Sequence, residues 1–164
     1  MTTRDLGGFS LARFPSWHPL HALKQRLLFN GRQLGVHVNG DDIDHIQKLD
    51  SFHIIATVYD YFDACNHWIY LLDEHMKLKD AVTMPNYFGF LQDVEQHGHD
   101  QISFGYYGTH DRWRLKVEKQ GHWRYSPGDL LLRPNRFLSR KRHMLLSCVK
   151  GPKWQGEPDN LDKS

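Results

Sequence analysis

Apolar residues near the start of the chain recur at helical spacing. Leu20, Leu23 and Leu27 are three and four positions apart, which places them on one face of an α-helix. The residue before Leu20 is a proline, and a proline is well tolerated in the first turn of a helix because its missing N–H is not needed there. A glycine at position 31 is suited to end a helix. The pattern predicts a helix over residues 19–30.

A second group of apolar residues has the same kind of spacing. Ile43, Ile46 and Leu49 follow one another at intervals of three. Asp41 precedes them, and aspartate is a favoured residue at a helix N-terminus because its carboxylate accepts a hydrogen bond from a free backbone N–H. We therefore expect a shorter helix over residues 42–49.

From residue 52 onward the pattern is typical of β-strands, because short β-branched and aromatic runs are separated by polar turns. The clearest alternation is in the segment Arg112–Glu118, where Trp113, Leu115 and Val117 alternate with charged residues. This strand is expected to bury one face and to expose a mostly basic one. Strands are predicted at 33–38 (ending at the turn Asn39-Gly40), 53–61, 66–72, 78–84, 87–91, 101–106, 112–118, 123–125, 130–132 and 144–149.

Many short strands joined by short turns indicate an antiparallel sheet and not βαβ units. The sequence therefore predicts an α+β fold, in which one or two N-terminal helices pack on a twisted antiparallel sheet that could curl into a half-barrel. Residues 1–150 would form a single domain. Residues 151–164 are polar and contain proline and glycine, so we expect a frayed tail there.

The composition changes this picture little. The chain has 164 residues with 13% aromatic residues, which suits one domain with a sizeable core. The N-terminus has no apolar leader and no run approaches a membrane span, so the expected location is cytoplasmic. Cys65 and Cys148 are far apart, and we interpret them as reduced cysteines that pack as small apolar residues.

Charge is distributed unevenly along the chain. Residues 1–100 contain 8 Lys and Arg against 13 Asp and Glu, whereas residues 101–164 contain 13 against 6. Seven basic residues and no acidic one lie between Leu130 and Gly156. Such asymmetry indicates either an anionic partner or a basic half that packs on an acidic one.

Histidines offer the only candidate metal ligands. His97 and His99 are two positions apart, so on a strand both rings could ligate one ion, as in metal-dependent enzymes of the cupin type. The expected glutamate is missing after His99, and His143 follows too late for that ligand pattern. A polar loop is the better interpretation of this segment, so no metal or other cofactor is expected, and a cupin-like enzyme stays an alternative.

The remaining motifs favour binding over catalysis. The chain lacks a G-x-S-x-G nucleophile turn and both glycine-rich phosphate loops. It is rich in Trp, Tyr and Arg, the residues that most often anchor protein interfaces. We therefore expect a non-catalytic inhibitory protein that binds another protein, for example an immunity protein that neutralises a toxin. The predicted partner-binding residues are Arg112, Arg114, Arg124, Arg136, Arg140 and Arg142.

A nucleic-acid-binding module is the second alternative. It would use the basic C-terminal half, in which arginines alternate with aromatic residues that could stack on bases. Against it, Trp113 is expected to point into the core, on the face opposite Arg112 and Arg114.

Overall fold

The computed structural model describes residues 6–13, 24–61, 64–84, 88–123 and 141–151. Within these ranges the chain forms eleven β-strands and no helix, so they include no helix long and apolar enough to cross a membrane. The strands are β1 (Phe9–Arg13), β2 (Lys24–Phe29), β3 (Arg32–Asn39), β4 (Asp42–Leu49), β5 (Phe52–Tyr61), β6 (Ala64–Leu72), β7 (Leu78–Thr83), β8 (Phe88–His97), β9 (Gln101–Tyr107), β10 (Arg112–His122) and β11 (Arg142–Val149).

The strands form three antiparallel sheets that follow one another along the chain. The first sheet has the order β1-β2-β3, the central sheet β4-β5-β6-β7, and the third sheet β11-β10-β9-β8. The central sheet has a separate apolar cluster on each face, one shared with the first sheet and one with the third. Ile54 points to the third sheet and its neighbour Ile55 to the first, and both are fully buried. The architecture is therefore three layers of sheet.

The expected α+β class is wrong, because the described part of the chain is all-β. Residues 24–29 of the first predicted helix form β2, and residues 19–23 lie outside the described ranges. The dipeptide Asn30-Gly31 does not end a helix but turns a hairpin, since both residues have positive φ (48° and 75°) between the paired strand ends Phe29 and Arg32. Asn-Gly is the preferred dipeptide of such a turn.

The second predicted helix, over residues 42–49, is also wrong, because these residues form β4. A β-bulge between Ile43 and His45 shifts the alternation by one residue. Ile43 and Ile46 therefore both point to the first sheet, whereas Leu49 points to the third. The interval of three thus results from a bulge in a strand that has apolar neighbours on both faces.

The later strand predictions fare better. Every predicted strand that falls on described residues is present, with ends that differ by a few residues at most positions; β8 is the exception, since it extends to His97. The Asn39-Gly40 turn is confirmed: Gly40 has φ 107°, and a Cβ there would lie 2.8 Å from the Val58 carbonyl oxygen. The predicted strands at 123–125 and 130–132 lie largely or wholly outside the described residues, as does the expected tail after Gly151.

A single sheet that curls into a half-barrel is not what forms; the strands divide into separate layers. Two buried aspartates connect the central and third sheets at opposite edges. Asp44, the bulge residue of β4, accepts a hydrogen bond from the Leu91 N–H of β8 at 2.8 Å. Asp80 of β7 accepts bonds from the His143 and Met144 N–H groups of β11 at 2.8 and 2.9 Å. These carboxylates occupy backbone donors on both edge strands of the third sheet.

Candidate functional site

The strand β10 separates a buried face from a solvent-facing one, as its alternation predicts. Trp113, Leu115 and Val117 are 7%, 0% and 5% exposed and belong to the core between the central and third sheets. Arg114 and Lys116 are exposed on the opposite side. The predicted face assignment is confirmed for these five residues, whereas Arg112, which was also expected to be exposed, is half-buried.

The six arginines predicted to bind a partner do not share one environment. Arg114 is exposed, Arg112 is half-buried, and Arg142 is only 2% exposed at the start of β11. A partner cannot reach the Arg142 side chain in this conformation. Arg124, Arg136 and Arg140 lie outside the described residues, so the structure brings only Arg112 and Arg114 together.

Large apolar side chains are exposed on this sheet, and the sequence interpretation missed them. Among the described residues, every large apolar side chain that is exposed belongs to the third sheet or directly follows β10. Val149 is 58% exposed, and Tyr107 is 65% exposed at the end of β9. The full set is Phe90, Tyr107, Trp123, Leu145 and Val149.

Apolar and basic side chains are paired across β10 and β11. Leu145 lies directly opposite Lys116, and Val149 directly opposite Arg112. Residues opposite one another in an antiparallel pair point to the same side of the sheet. We call the exposed group Tyr107, Arg114, Lys116, Leu145, Ser147 and Val149 the outer face. The sequence of β11 could have indicated this exposure, because its apolar residues occupy positions that point to both faces of the strand.

Arg112 is held across the sheet by polar contacts. Its Nη2 donates to the Asp93 carbonyl oxygen at 2.8 Å and to Ser103 Oγ at 3.2 Å, and lies 3.5 Å from the Glu95 carboxylate. Asp93 can offer its carbonyl because β8 is irregular here, with a register shift between Gln92 and Glu95 and φ 48° at Asp93. The guanidinium thus connects β10 to the edge strand β8.

Ser103 and His97 come close beneath Arg112, although the sequence gave no reason to pair them. His97 Nε2 lies 2.7 Å from Ser103 Oγ and 3.9 Å from the Glu95 carboxylate. In a catalytic triad the acid bonds the ring nitrogen that the serine does not use, whereas here both approach Nε2. Ser103 is also only 4% exposed. The cluster is arranged to position Arg112 and not to activate a nucleophile.

A cleft of about 430 Å³ opens beside this cluster and is lined by polar groups. Two of its carboxylates are already neutralised: Glu95 by Arg112, and Asp111 by Lys150 at 2.6 Å. Its remaining lining is Gln92, Asp93, Gly105, Tyr106, Thr109 and His110.

The two candidate metal ligands point into different places. His97 contacts Ser103, whereas His99 lies in the turn after β8 and lines a separate cleft of about 410 Å³ with Lys116 and Glu118. No group of three or more His, Cys, Asp or Glu side chains suited to a metal occurs in the part of the chain that the structure describes.

The cysteines are packing residues, as expected. Cys65 is buried and its Sγ donates to Asp60 at 3.3 Å, while Cys148 packs at the edge of the core under β10. Burial raises the pKa of both thiols, and the nearby Asp60 carboxylate raises that of Cys65 further. A raised pKa keeps each thiol protonated and poorly nucleophilic at neutral pH.

Comparison with known proteins adds no assignment to this geometry. No protein-family model, curated protein or solved structure matches the chain.

Proposed function

We propose that the protein is a non-catalytic binding protein that holds a protein partner on the outer face of its third sheet. The observation that carries this proposal is the concentration of exposed apolar side chains on that sheet, next to basic ones. Exposed apolar groups gathered on one surface and bordered by charge are typical of protein interaction sites. Aromatic and arginine side chains supply most of the binding energy in such sites.

The charge of the outer face selects the kind of partner. Arg114 and Lys116 are its charged members, and the chain between β10 and β11, residues 123–141, contains four Arg, one Lys and one Asp. We therefore propose an acidic protein surface with aliphatic groups at its centre. The inhibitory role, with a toxin as the partner, is the most specific form of this proposal.

The polar cluster under Arg112 supports a binding role more than a catalytic one. Its serine is buried, and its histidine and carboxylate are arranged around one nitrogen. Arg112 is fixed by three groups, so it can present its guanidinium with little loss of side-chain entropy. Rigid anchors bind more tightly because less freedom is lost on association.

The test is affinity capture from the native host with nuclease present, followed by binding kinetics with the captured protein. At low salt, the association rate of the variant Arg114→Glu/Lys116→Glu should be lower than that of the wild type by about tenfold or more. The reason is that opposite charges on the two partners speed their encounter. The difference should shrink near 0.15 M salt, where the Debye length is about 8 Å. Leu145→Ala/Val149→Ala should instead raise the dissociation rate.

The matched control is Lys48→Glu/Lys77→Glu, which makes the same change in net charge at exposed positions outside the third sheet. It should associate like the wild type. Equal slowing by both charge variants, or a larger effect from reversal of Asp41 and Asp42, would place the interface elsewhere. Turnover of a small molecule by the isolated protein would contradict the non-catalytic role.

A further inference from the structure

The first sheet is positively charged, although the net charge of residues 1–100 is negative. Residues 6–40, which include all of β1, β2 and β3, contain no Asp or Glu but contain Arg13, Lys24, Arg26 and Arg32. Of the 13 Asp and Glu in residues 1–100, Asp5 precedes β1 and the other twelve lie from Asp41 onward. One outer layer of the molecule is therefore built from basic and neutral residues alone.

Because side chains alternate between the two faces of a strand, some of these basic residues point to the solvent side of the first sheet. Leu27 and Val38 point into the core with the central sheet, so their strand neighbours point away from it. Arg26 lies on β2 between Ala12 of β1 and His37 of β3, which are its direct cross-strand partners. Two residues before Arg26, and thus about 6.8 Å away along the strand, Lys24 points to the same side.

Further positive charge lies at the ends of the strands. Arg13 ends β1 and Arg32 begins β3, and both are exposed. None of the ion pairs found between described residues involves Arg13, Lys24 or Arg32. We call Arg13, Lys24, Arg26, Arg32 and His37 the basic face.

We propose that the basic face binds the phosphate backbone of double-stranded nucleic acid. Surfaces that bind nucleic acid are more polar and more positive than those that bind proteins. No large apolar side chain is exposed on the described part of this sheet. A protein interface core and a membrane-inserting group both need such side chains.

The absence of exposed large apolar side chains on the described part of this sheet also favours a double-stranded over a single-stranded ligand. Proteins that hold single strands stack bases on exposed aromatic rings, whereas the outward positions of this sheet carry Ser10, Ala12, Lys24, Arg26, half-buried Leu28, Gln33 and His37. Contacts of lysine and arginine with phosphates do not depend on base sequence. The expected mode is sequence-independent binding to the backbone.

The experiment measures the salt dependence of binding by the full chain to a labelled mixed-sequence DNA duplex of about two helical turns. Four permanent charges predict that a plot of log K against log salt concentration has a slope of about −3.6. Affinity should then fall roughly a hundredfold between 50 and 200 mM salt. Lys24→Gln/Arg26→Gln removes two contacts, so its slope should be about −1.8 and its loss only about tenfold.

The matched control, Arg114→Gln/Lys116→Gln, removes the same charge from the third sheet and should leave the slope unchanged. Circular dichroism of each variant, with thermal unfolding like that of the wild type, verifies that the fold is kept. Tighter binding to a single strand of equal length, or a slope change in the control only, would overturn the proposal. Equal binding to vesicles that contain phosphatidylserine, lost in Lys24→Gln/Arg26→Gln, would also overturn it in favour of a lipid surface.

Discussion

Individual buried carboxylates join the layers of this molecule. Asp80 is 5% exposed and accepts hydrogen bonds from three backbone N–H groups, one of its own strand and two of β11. Asp44 has a related role at the opposite edge. A carboxylate in such a position keeps N–H groups of an edge strand from being buried without an acceptor.

We expect Asp80→Ala to lower the free energy of unfolding by about 2–5 kcal/mol, because the N–H groups of His143 and Met144 lose their acceptor in a buried environment. Chemical denaturation monitored by tryptophan fluorescence measures this change. The control Asp41→Ala removes an exposed carboxylate and should cost no more than about 0.5 kcal/mol. Similar losses in the two variants would show that the contacts of Asp80 do not stabilise the layers.

Trp113 gives a second prediction at the scale of one residue. Its ring is buried between the central and third sheets, so Trp113→Ala should cost about 3–5 kcal/mol of unfolding free energy. The adjacent Arg114→Ala changes an exposed side chain and should stay within about 0.5 kcal/mol. Urea unfolding followed by circular dichroism compares the two, and a loss below about 1 kcal/mol for Trp113→Ala would argue against its burial.

At the scale of the strand, a strand could be predicted from the sequence when other sheets cover only one of its faces. The strand β10 was predictable because only one of its faces is buried, which gives strict alternation. The strand β4 was not, because a bulge and two apolar faces spaced its isoleucines by three. Asn30-Gly31 is a dipeptide typical of a hairpin turn, and both residues have positive φ. The leucines before it are spaced like one face of a helix, and for that reason the segment was predicted as helical.

The contact between β1 and β5 carries a pH prediction. The His53 ring packs on Phe9 at 5.5 Å, and burial, with a smaller contribution from Lys48, lowers the pKa of His53 below its usual 6.5. The fold therefore favours the neutral ring, whereas the unfolded chain binds the proton more readily. This contribution to stability is present above pH 6.5 and is lost as the pH falls towards the folded-state pKa.

We expect the free energy of unfolding to decrease from pH 7.5 to pH 5, and His53→Phe to make that decrease smaller. Denaturant titrations at the two pH values measure the difference, and an NMR titration of the His53 ring reports its pKa directly. The control His75→Gln changes an exposed turn histidine and should keep the wild-type dependence. An NMR pKa at or above 6.5 would contradict the proposed cause.

At the scale of the whole molecule, the two proposed surfaces lie on opposite outer layers. The basic face belongs to the first sheet and the outer face to the third, with the central sheet between them. Sequence averages concealed both surfaces. The acid-free first sheet was hidden by carboxylates later in the same half, and the exposed Leu145 and Val149 belong to a segment that was predicted as a strand without an assignment of its faces.

The position of the central sheet in the chain also affects folding during synthesis. Synthesis proceeds from the N-terminus, so β4–β7 leave the ribosome before β8–β11 do. In that interval Ile54, Ile69 and Leu71, which the third sheet later covers, face solvent or a chaperone. Apolar strands exposed in this way are where nascent chains associate wrongly. Slower translation after residue 84 would lengthen the exposure, so the order of the sheets makes the yield of folded protein sensitive to the rate at which the second half of the chain is synthesised.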